Sequence, residues 1–94
     1  MRSYFVYIIT NQSHGTLYIG VTNNLDRRLT EHRAGTFEDF SKRHELKRLV
    51  YFEESLRIEE AIKREKQLKS WHRQWKINLI ESMNPQWEYL SPVT

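Results

Sequence analysis

Two short segments of β-branched and aromatic residues, separated by a polar turn, constrain the fold of this chain more than any other feature. Residues 4–10 place such side chains and apolar groups on both faces, a pattern typical of a strand that is covered from two sides. Residues 11–15 form a polar turn cluster, and residues 16–21 have the composition of a second strand. The pattern predicts an antiparallel hairpin whose first strand is central in a sheet.

Helix and strand signals then alternate along the chain. Thr22, Asn23 and Asn24 are N-cap candidates for a short helix over residues 25–34, which Gly35 would end. Residues 36–45 mix charged and aromatic side chains without a clear period and are predicted to form a loop. A third apolar run predicts a strand over residues 47–52.

Two further helices are predicted in the second half of the chain. Ser55 would cap the first, and the second would restart near Ser70 and end before Asn84. The side chains expected to face inward are Ile58, Ala61, Ile62 and Leu68 on the first helix, and Trp75, Leu79, Ile80 and Met83 on the second. The tail carries Trp87, Tyr89 and Leu90. We expect it to pack on the body, since exposing a tryptophan or a leucine forgoes roughly 1.5 to 3 kcal/mol of burial.

Composition narrows the possible chemistry. The chain of 94 residues predicts a single domain over residues 1–94 with one modest core. It has no cysteine, which excludes disulfides and thiolate metal sites, so that any metal would be held by oxygen or imidazole ligands. The first apolar run is far shorter than the roughly 20 residues of a membrane span, and a cytoplasmic protein is expected. A net charge of +3 permits a polyanionic partner without requiring one.

Glu65 is the first residue whose position suggests chemistry. It lies seven residues after Ile58, so the two are within about 20° of each other around a helix and the carboxylate falls in the apolar stripe. One interpretation is structural, namely a salt bridge with an arginine or a small helix rotation that brings the carboxylate to the surface. The other is a metal ligand or an acid–base group in a cleft.

Arg28 and His32 form a second candidate pair, because four residues separate them and their side chains can converge on one ligand. An arginine fork suits a phosphate, and a neighbouring histidine can relay a proton. The alternative is an ordinary solvated helix face.

In the hairpin, Tyr18 and Gly20 share one strand face and Tyr7 lies on the partner strand, where tyrosines are most often core residues. No glycine-rich phosphate loop, serine triad or zinc spacing is present.

These residues resemble the GIY-YIG nuclease family, and the resemblance covers nearly the whole chain. Phe5-Val6-Tyr7 and Leu17-Tyr18-Ile19-Gly20 are similar to its paired strand motif. Family spacing places an arginine ten residues after the second motif tyrosine and a histidine or tyrosine four further on, which here selects Arg28 and His32. The family's metal-binding glutamate follows an alanine by four, which selects Glu65. The segment from Leu49 through Pro85 is similar to a small stand-alone bacterial branch, related to the N-terminal nuclease domain of the excinuclease in nucleotide excision repair.

The resemblance implies an α+β fold, with a small three-stranded antiparallel sheet flanked by about three helices. It also implies a metal-dependent endonuclease that hydrolyses phosphodiester bonds in nucleic acid, with DNA as the expected substrate. We expect the protein to be a monomer that does not associate with a membrane. The implied catalytic residues are Tyr7, Tyr18, Arg28, His32 and Glu65, with Gly20 as a structural motif residue. Glu65 would hold one Mg²⁺ or Mn²⁺ ion. Either tyrosine is a candidate for the base that activates water.

The surrounding cations are candidates for phosphate contacts, with solvated surface as the ordinary alternative. They are Arg27, Arg33, Lys42, Arg43, Lys47 and Lys69. Because larger members of the family carry fused DNA-recognition parts, a protein partner could supply targeting to this chain.

The chain also departs from the family pattern. Phe5 replaces a motif glycine, Val21 stands where some relatives have lysine, and Asn78 and Asn84 are both off register with a late family asparagine. These departures leave two alternatives open. One is a non-catalytic nucleic-acid-binding module. The other is a small interaction protein that docks a partner through its tail and its exposed aromatic residues. In that case Glu65 and Arg28 would tolerate substitution while Trp87 would not.

Overall fold

A computed structural model describes residues 3–34 and 46–91 of the chain. Their secondary structure runs in the order β1 Tyr4–Thr10, β2 Leu17–Thr22, α1 Leu25–Ala34, β3 Arg48–Ser55, α2 Ile58–Ser70 and α3 Arg73–Met83. The predicted α+β class is confirmed by these three strands and three helices. The predicted loop over residues 36–45 lies outside the described residues.

The three strands form one antiparallel sheet in the order β2-β1-β3, so the predicted central position of the first strand is confirmed. Tyr7 pairs with Gly20 on one side and with Phe52 on the other. The pairing of β1 with β3 is irregular between Ile8 and Ile9. Since both neighbours of β1 are strands and helices cover both faces, all of its residues from 6 to 10 are buried.

Alternation along β1 sends neighbouring side chains into two separate cores. Val6 and Ile8 join the buried residues of α2 and α3 on one face of the sheet, together with Trp87 of the tail. Tyr7 and Ile9 join the buried residues of α1 on the other face. The sheet therefore separates α1 from the other two helices, and the hairpin tyrosine belongs to the α1 side.

Local hydrogen bonds explain where the hairpin turns and where α1 begins. In the turn, the Thr16 amide donates to Asn11 Oδ1 at 3.0 Å, and the Gly15 amide donates to Gln12 O at 2.9 Å. The side chain of Asn24 accepts from the Arg27 amide at 3.0 Å, which is the N-cap interaction that the sequence predicts.

The predicted cap of α2 was wrong. Ser55 is the last residue of β3, and its hydroxyl forms a local turn with the backbone of Arg57, which occupies the N-cap position without a capping side chain. Ser55 lies two residues too early to reach the amides of the first helical turn, so it organises the approach to the helix instead.

The inward faces of α2 and α3 are narrower than predicted. On α2 only Ala61 and Leu68 are buried, and on α3 only Ile77 and Ile80. Four residues predicted to be buried are exposed, namely Ile58, Ile62, Trp75 and Met83. Trp87 supplies the missing volume, because its indole is 1% exposed and packs in the same cluster as Ile77 and Ile80. The tail is packed on the body as predicted, although Tyr89 is exposed.

No helix in the described ranges is long and apolar enough to cross a membrane.

Candidate active site

A buried hydrogen bond between Tyr7 and His32 lies at the centre of the candidate site. The phenol oxygen of Tyr7 and Nε2 of His32 are 3.1 Å apart, and both residues are 1% exposed. Leu25 and Leu29 occupy the same face of α1 as His32, so the packing of this face onto the sheet carries the imidazole to the strand. A hydroxyl and an imidazole held in this way can exchange a proton without rearrangement.

Tyr18 completes an aromatic cluster on the same face of the sheet. It pairs with Ile9, and the two-residue alternation puts its ring on the side of Tyr7. The ring centroid of Tyr18 lies 6.3 Å from that of Tyr7 and 5.3 Å from that of His32. Unlike Tyr7, Tyr18 is only partly buried, so of the two phenols it lies nearer to solvent.

Gly20 makes room for this cluster. It stands opposite Tyr7 in the register, and a Cβ added at position 20 would lie 2.5 Å from the Tyr7 hydroxyl oxygen and 2.7 Å from the adjacent ring carbon. No larger residue fits there while the phenol keeps its place. The glycine is therefore required for the close approach of a ring to the strand backbone.

Arg28 lies on α1 one turn before His32, as the four-residue spacing predicts. Its side chain is 20% exposed, and Nε forms a salt bridge with Glu31 Oε1 at 3.2 Å. Glu31 is more exposed, at 38%. The ion pair holds the guanidinium against the helix.

Glu65 lies on α2, whereas the other candidate residues lie on the hairpin and on α1. Its side chain is 14% exposed, and Lys69 Nζ approaches Oε2 at 2.8 Å. Of the two structural interpretations, a salt bridge is the correct one, with lysine in place of the expected arginine. Ala61 and Leu68 on the same helix pack with the cluster on the sheet face opposite to Tyr7.

The structure thus brings Tyr7, Tyr18 and His32 into direct contact and sets Arg28 one helical turn away. The helix that carries Glu65 packs on the other face of the sheet. The sheet order makes β2 an edge strand, and helix α2 packs over it. A carboxylate on α2 would therefore approach the phenols around this edge, and a single cleft shared by all five residues stays a prediction.

The ligand chemistry is compatible with one hard cation. Within residues 3–34 and 46–91, no group of three or more His, Asp or Glu side chains is arranged to hold a metal ion. Glu65 would offer one carboxylate to such an ion, with water and substrate oxygens available for its other positions. Mg²⁺ commonly binds in this way, through one or two carboxylates and several waters.

The cations predicted to contact phosphate differ in how they are held. Arg27 is exposed and donates to Asn23 Oδ1 at 3.3 Å. Arg33 donates from Nε to the carbonyl of Lys47 at 3.4 Å, and its guanidinium lies 5.7 Å from the ring centre of Tyr89. Lys47 is exposed, and Lys69 belongs to the ion pair with Glu65. Lys42 and Arg43 lie outside the described residues.

Sequence reasoning missed one polar network near the β3–α2 junction. Arg64 on α2 donates from Nε and Nη2 to the carboxylate of Glu53 on β3, at distances of 2.9 to 3.2 Å. The hydroxyl of Tyr51 donates to the same carboxylate. Residues 53 and 64 are distant in sequence, so no local spacing reveals the pair, whereas the i, i+3 spacing of Arg28 and Glu31 did contain a usable signal.

The network shifts the pKa values of its three members. For Glu53, partial burial raises the pKa, but the hydrogen bonds from Arg64 and Tyr51 outweigh this and the net shift is downward from 4.5. The bond to Glu53 raises the pKa of Arg64 further. Burial and the neighbouring carboxylate raise the pKa of Tyr51, so this phenol stays protonated at neutral pH.

The fold and the cluster of two tyrosines and a histidine define a GIY-YIG type of domain. The chain belongs to the GIY-YIG nuclease family, since the family model described as GIY-YIG catalytic domain matches residues 3–78. The resemblance drawn from the motif residues is thereby confirmed.

Individual relatives make the likeness more specific. The chain is 35% identical over 81 residues to a UPF0213 protein of Staphylococcus haemolyticus, an alignment that covers 86% of this chain and 98% of the relative. A UPF0213 protein of Staphylococcus aureus strain Mu3 is 37% identical with the same coverage. The solution NMR structure of a UPF0213 protein from Bacillus halodurans superposes with a TM-score of 0.58 at 26% identity, covering 98% of this chain and 97% of the other.

Proposed function

We propose that this protein is a metal-dependent endonuclease that hydrolyses phosphodiester bonds in DNA. The observation that carries the proposal is the hydrogen bond of 3.1 Å between Tyr7 and His32, buried beneath the second motif tyrosine and next to Arg28. Any buried tyrosine hydroxyl needs a hydrogen-bond partner, but an imidazole partner can also accept the phenol proton and return it, which a backbone carbonyl cannot do.

In this proposal a phenol removes a proton from the attacking water. A free phenol has a pKa of about 10 and is a weak base at neutral pH, so the proton needs a second acceptor. His32 fills this role: in the tautomer with an unprotonated Nε2, it accepts the hydroxyl proton of Tyr7 and leaves the phenol oxygen able to accept one from water. Tyr18, the more exposed of the two tyrosines, would orient that water or the phosphate.

Arg28 would stabilise the negative charge that builds on the phosphoryl oxygens. Its ion pair with Glu31 fixes the guanidinium at 3.2 Å from a carboxylate, which reduces the conformational entropy lost when phosphate binds. A positioned guanidinium is worth most in a transition state, where the charge is larger than in the bound substrate.

Glu65 would hold the divalent ion. When bound, Mg²⁺ or Mn²⁺ supplies Lewis-acid stabilisation of the phosphate and lowers the pKa of a bound water. The low exposure of the Glu65 side chain, 14%, restricts its competing contacts with solvent, and the ion pair with Lys69 fixes the position of the carboxylate. Because Lys69 occupies Oε2 at 2.8 Å, binding of an ion requires this lysine to move or to share the carboxylate.

The test uses labelled DNA duplexes, flaps and single strands, together with matching RNAs, each incubated with and without Mn²⁺. The parent protein should cleave DNA only with the ion present. Tyr7→Phe, Arg28→Ala and Glu65→Ala should each retain the fold, shown by circular dichroism, and lose cleavage by at least about 100-fold.

Glu88→Ala is a matched control, because Glu88 is exposed and lies on the tail. Its rate should equal that of the parent. Undiminished cleavage by Glu65→Ala, or cleavage in the presence of EDTA, would overturn the assignment of the metal site. Affinity for DNA should also fall as salt is raised from low to moderate concentration, and a flat response would contradict a phosphate-binding surface.

A further inference from the structure

An exposed aromatic groove lies at the junction of α2 and α3, away from the tyrosine cluster. Trp71, Trp75, Asn78, Leu79 and Ser82 line a groove of about 330 Å³. The Trp75 side chain is large and apolar, yet the residue is 54% exposed. An exposed tryptophan that adjoins a second tryptophan and a leucine forms an apolar patch of the kind that marks binding surfaces.

The indole of Trp75 is held in a fixed orientation by two other rings. Trp71 meets it edge to face at a centroid distance of 5.8 Å, and His72 does so at 5.4 Å. Arg64 stands 5.3 Å from the centre of the Trp71 ring and is itself fixed by Glu53. Trp75 is therefore in contact with two neighbouring rings while about half of the residue is exposed to solvent.

The segment that contains Trp71 and Trp75 holds the entire excess of positive charge. Residues 63–76 contain six lysines and arginines and one glutamate, a net charge of +5, whereas the whole chain carries +3. The other 80 residues are thus net acidic, at −2. Four of the six cations are exposed: Lys63, Lys66, Lys69 and Arg73.

We infer that this groove is a stacking platform for an unpaired nucleobase, and that the nucleic acid bound by the protein has a single-stranded portion. Single-strand-binding sites combine a positively charged surface that follows the backbone with aromatic rings on which bases stack. Residues 63–76 supply both. The inference rests on the proposed function and assigns its substrate class: nucleic acid with unpaired bases, such as a flap or an open end.

Charge favours nucleic acid over a protein as the occupant. An apolar helix of a partner would favour neutral or mixed surroundings, whereas the segment of residues 63–76, which contributes Trp71 and Trp75 to the groove, carries a net charge of +5. The groove also has an amide and a hydroxyl among its lining residues, Asn78 and Ser82, which suit the polar edge of a base.

The platform lies close in sequence and space to the proposed metal ligand. Glu65 is five residues before the end of α2 at Ser70, which is about 7.5 Å along a helix axis. Trp71 follows directly. A strand whose phosphate lies at Glu65 would therefore pass toward Trp75, with Lys69 between the two positions.

The experiment measures binding of a fluorescently labelled oligothymidylate and of a blunt duplex of equal length, in EDTA so that cleavage does not interfere. Trp75→Ala should weaken binding of the single strand by about tenfold and leave the duplex affinity unchanged. Trp75→Phe keeps a stacking ring and should restore most of the affinity. Leu56→Ala is the matched control, because Leu56 is a 66% exposed apolar residue outside the groove.

Three results would overturn the inference. The first is that Trp75→Ala binds the single strand with the same affinity as the parent. The second is that Trp75→Ala loses as much affinity for the duplex as for the single strand. The third is that Trp75→Ala changes the oligomeric state of the protein and leaves its nucleic-acid affinity unchanged. The last result would assign the groove to contact with another protein copy. The proposed nuclease activity fails separately: binding that depends on Trp75, in a protein that cleaves no substrate with Mn²⁺, supports the platform and excludes the endonuclease.

Discussion

The Tyr7 ring lies against the backbone of Gly20, so closely that a Cβ at position 20 would stand 2.5 Å from the phenol oxygen. Gly20→Ala should therefore push the phenol away from His32. We expect a loss of about 1–3 kcal/mol in the free energy of unfolding, as for other overpacked sites, and a fall in cleavage of about 100-fold from misplacement of the phenol. Urea denaturation and initial cleavage rates measure the two effects.

Val21→Ala is the control for this substitution, because Val21 is the next residue on β2 and packs on the opposite face of the sheet. It should lower stability without lowering the rate per folded molecule. A Gly20→Ala protein with the rate of the parent would show that the position of the Tyr7 hydroxyl is unimportant.

The ion pair between Lys69 and Glu65 should compete with metal binding. In Lys69→Ala the carboxylate loses its partner at 2.8 Å, so the Mn²⁺ concentration that gives half-maximal cleavage should fall. Stability should change by less than about 0.5 kcal/mol, because Lys69 is 52% exposed and such pairs contribute little. Metal titrations of the cleavage rate test this expectation.

Lys66→Ala removes an equal charge from an exposed position on the same helix. It should weaken DNA binding about as much as Lys69→Ala does and leave the metal dependence as it is in the parent. An identical shift in both variants would mean that the effect is general electrostatics and does not arise from the Glu65 carboxylate.

The Glu53 carboxylate should make the protein sensitive to acid. Its pKa in the folded protein is lowered from 4.5, so its stabilising contribution is present above pH 4.5 and is lost as the pH falls through the folded-state value. Glu53→Gln should lower the free energy of unfolding by about 1 kcal/mol at pH 7, a value reduced for its 27% exposure. The difference from the parent should shrink below pH 4.5, as measured by urea denaturation at several pH values.

Glu88→Gln is the exposed control for this substitution and should follow the parent at every pH. A Glu53→Gln variant whose stability difference stays constant down to strong acid would contradict the downward shift of the Glu53 pKa.

Trp87 should behave as a core residue. Its indole is 1% exposed, and Nε1 donates to Glu81 at 2.7 Å. Trp87→Ala should lower the free energy of unfolding by about 3–5 kcal/mol and reduce every activity through unfolding. Thermal denaturation followed by circular dichroism measures this. The alternative of a tail that docks a partner through Trp87 would instead predict a stable variant that loses only partner binding.

The sequence by itself determined the hairpin and the helix at Leu25–Ala34, and its resemblance to the GIY-YIG family implied the α+β class. These elements depend on local signals, namely the alternation in residues 4–10, the polar turn that follows it and the cap at Asn24. Strand alternation also placed Tyr18 and Gly20 on one face, whereas spacing left His32 on either a ligand-binding or a solvated face of its helix, and the resemblance to the family grouped it with the tyrosines.

Only the tertiary structure decided which apolar residues are buried and how the charged groups pair. Both Trp75 and Trp87 are apolar residues near the end of the chain, yet Trp87 packs in the core with Ile77 and Ile80 while Trp75 faces solvent. Arg64 and Glu53 pair although one lies on α2 and the other on β3, so no spacing within a single element predicts their contact. Local spacing can orient a side chain within its own element, but packing between elements sets what that side chain meets.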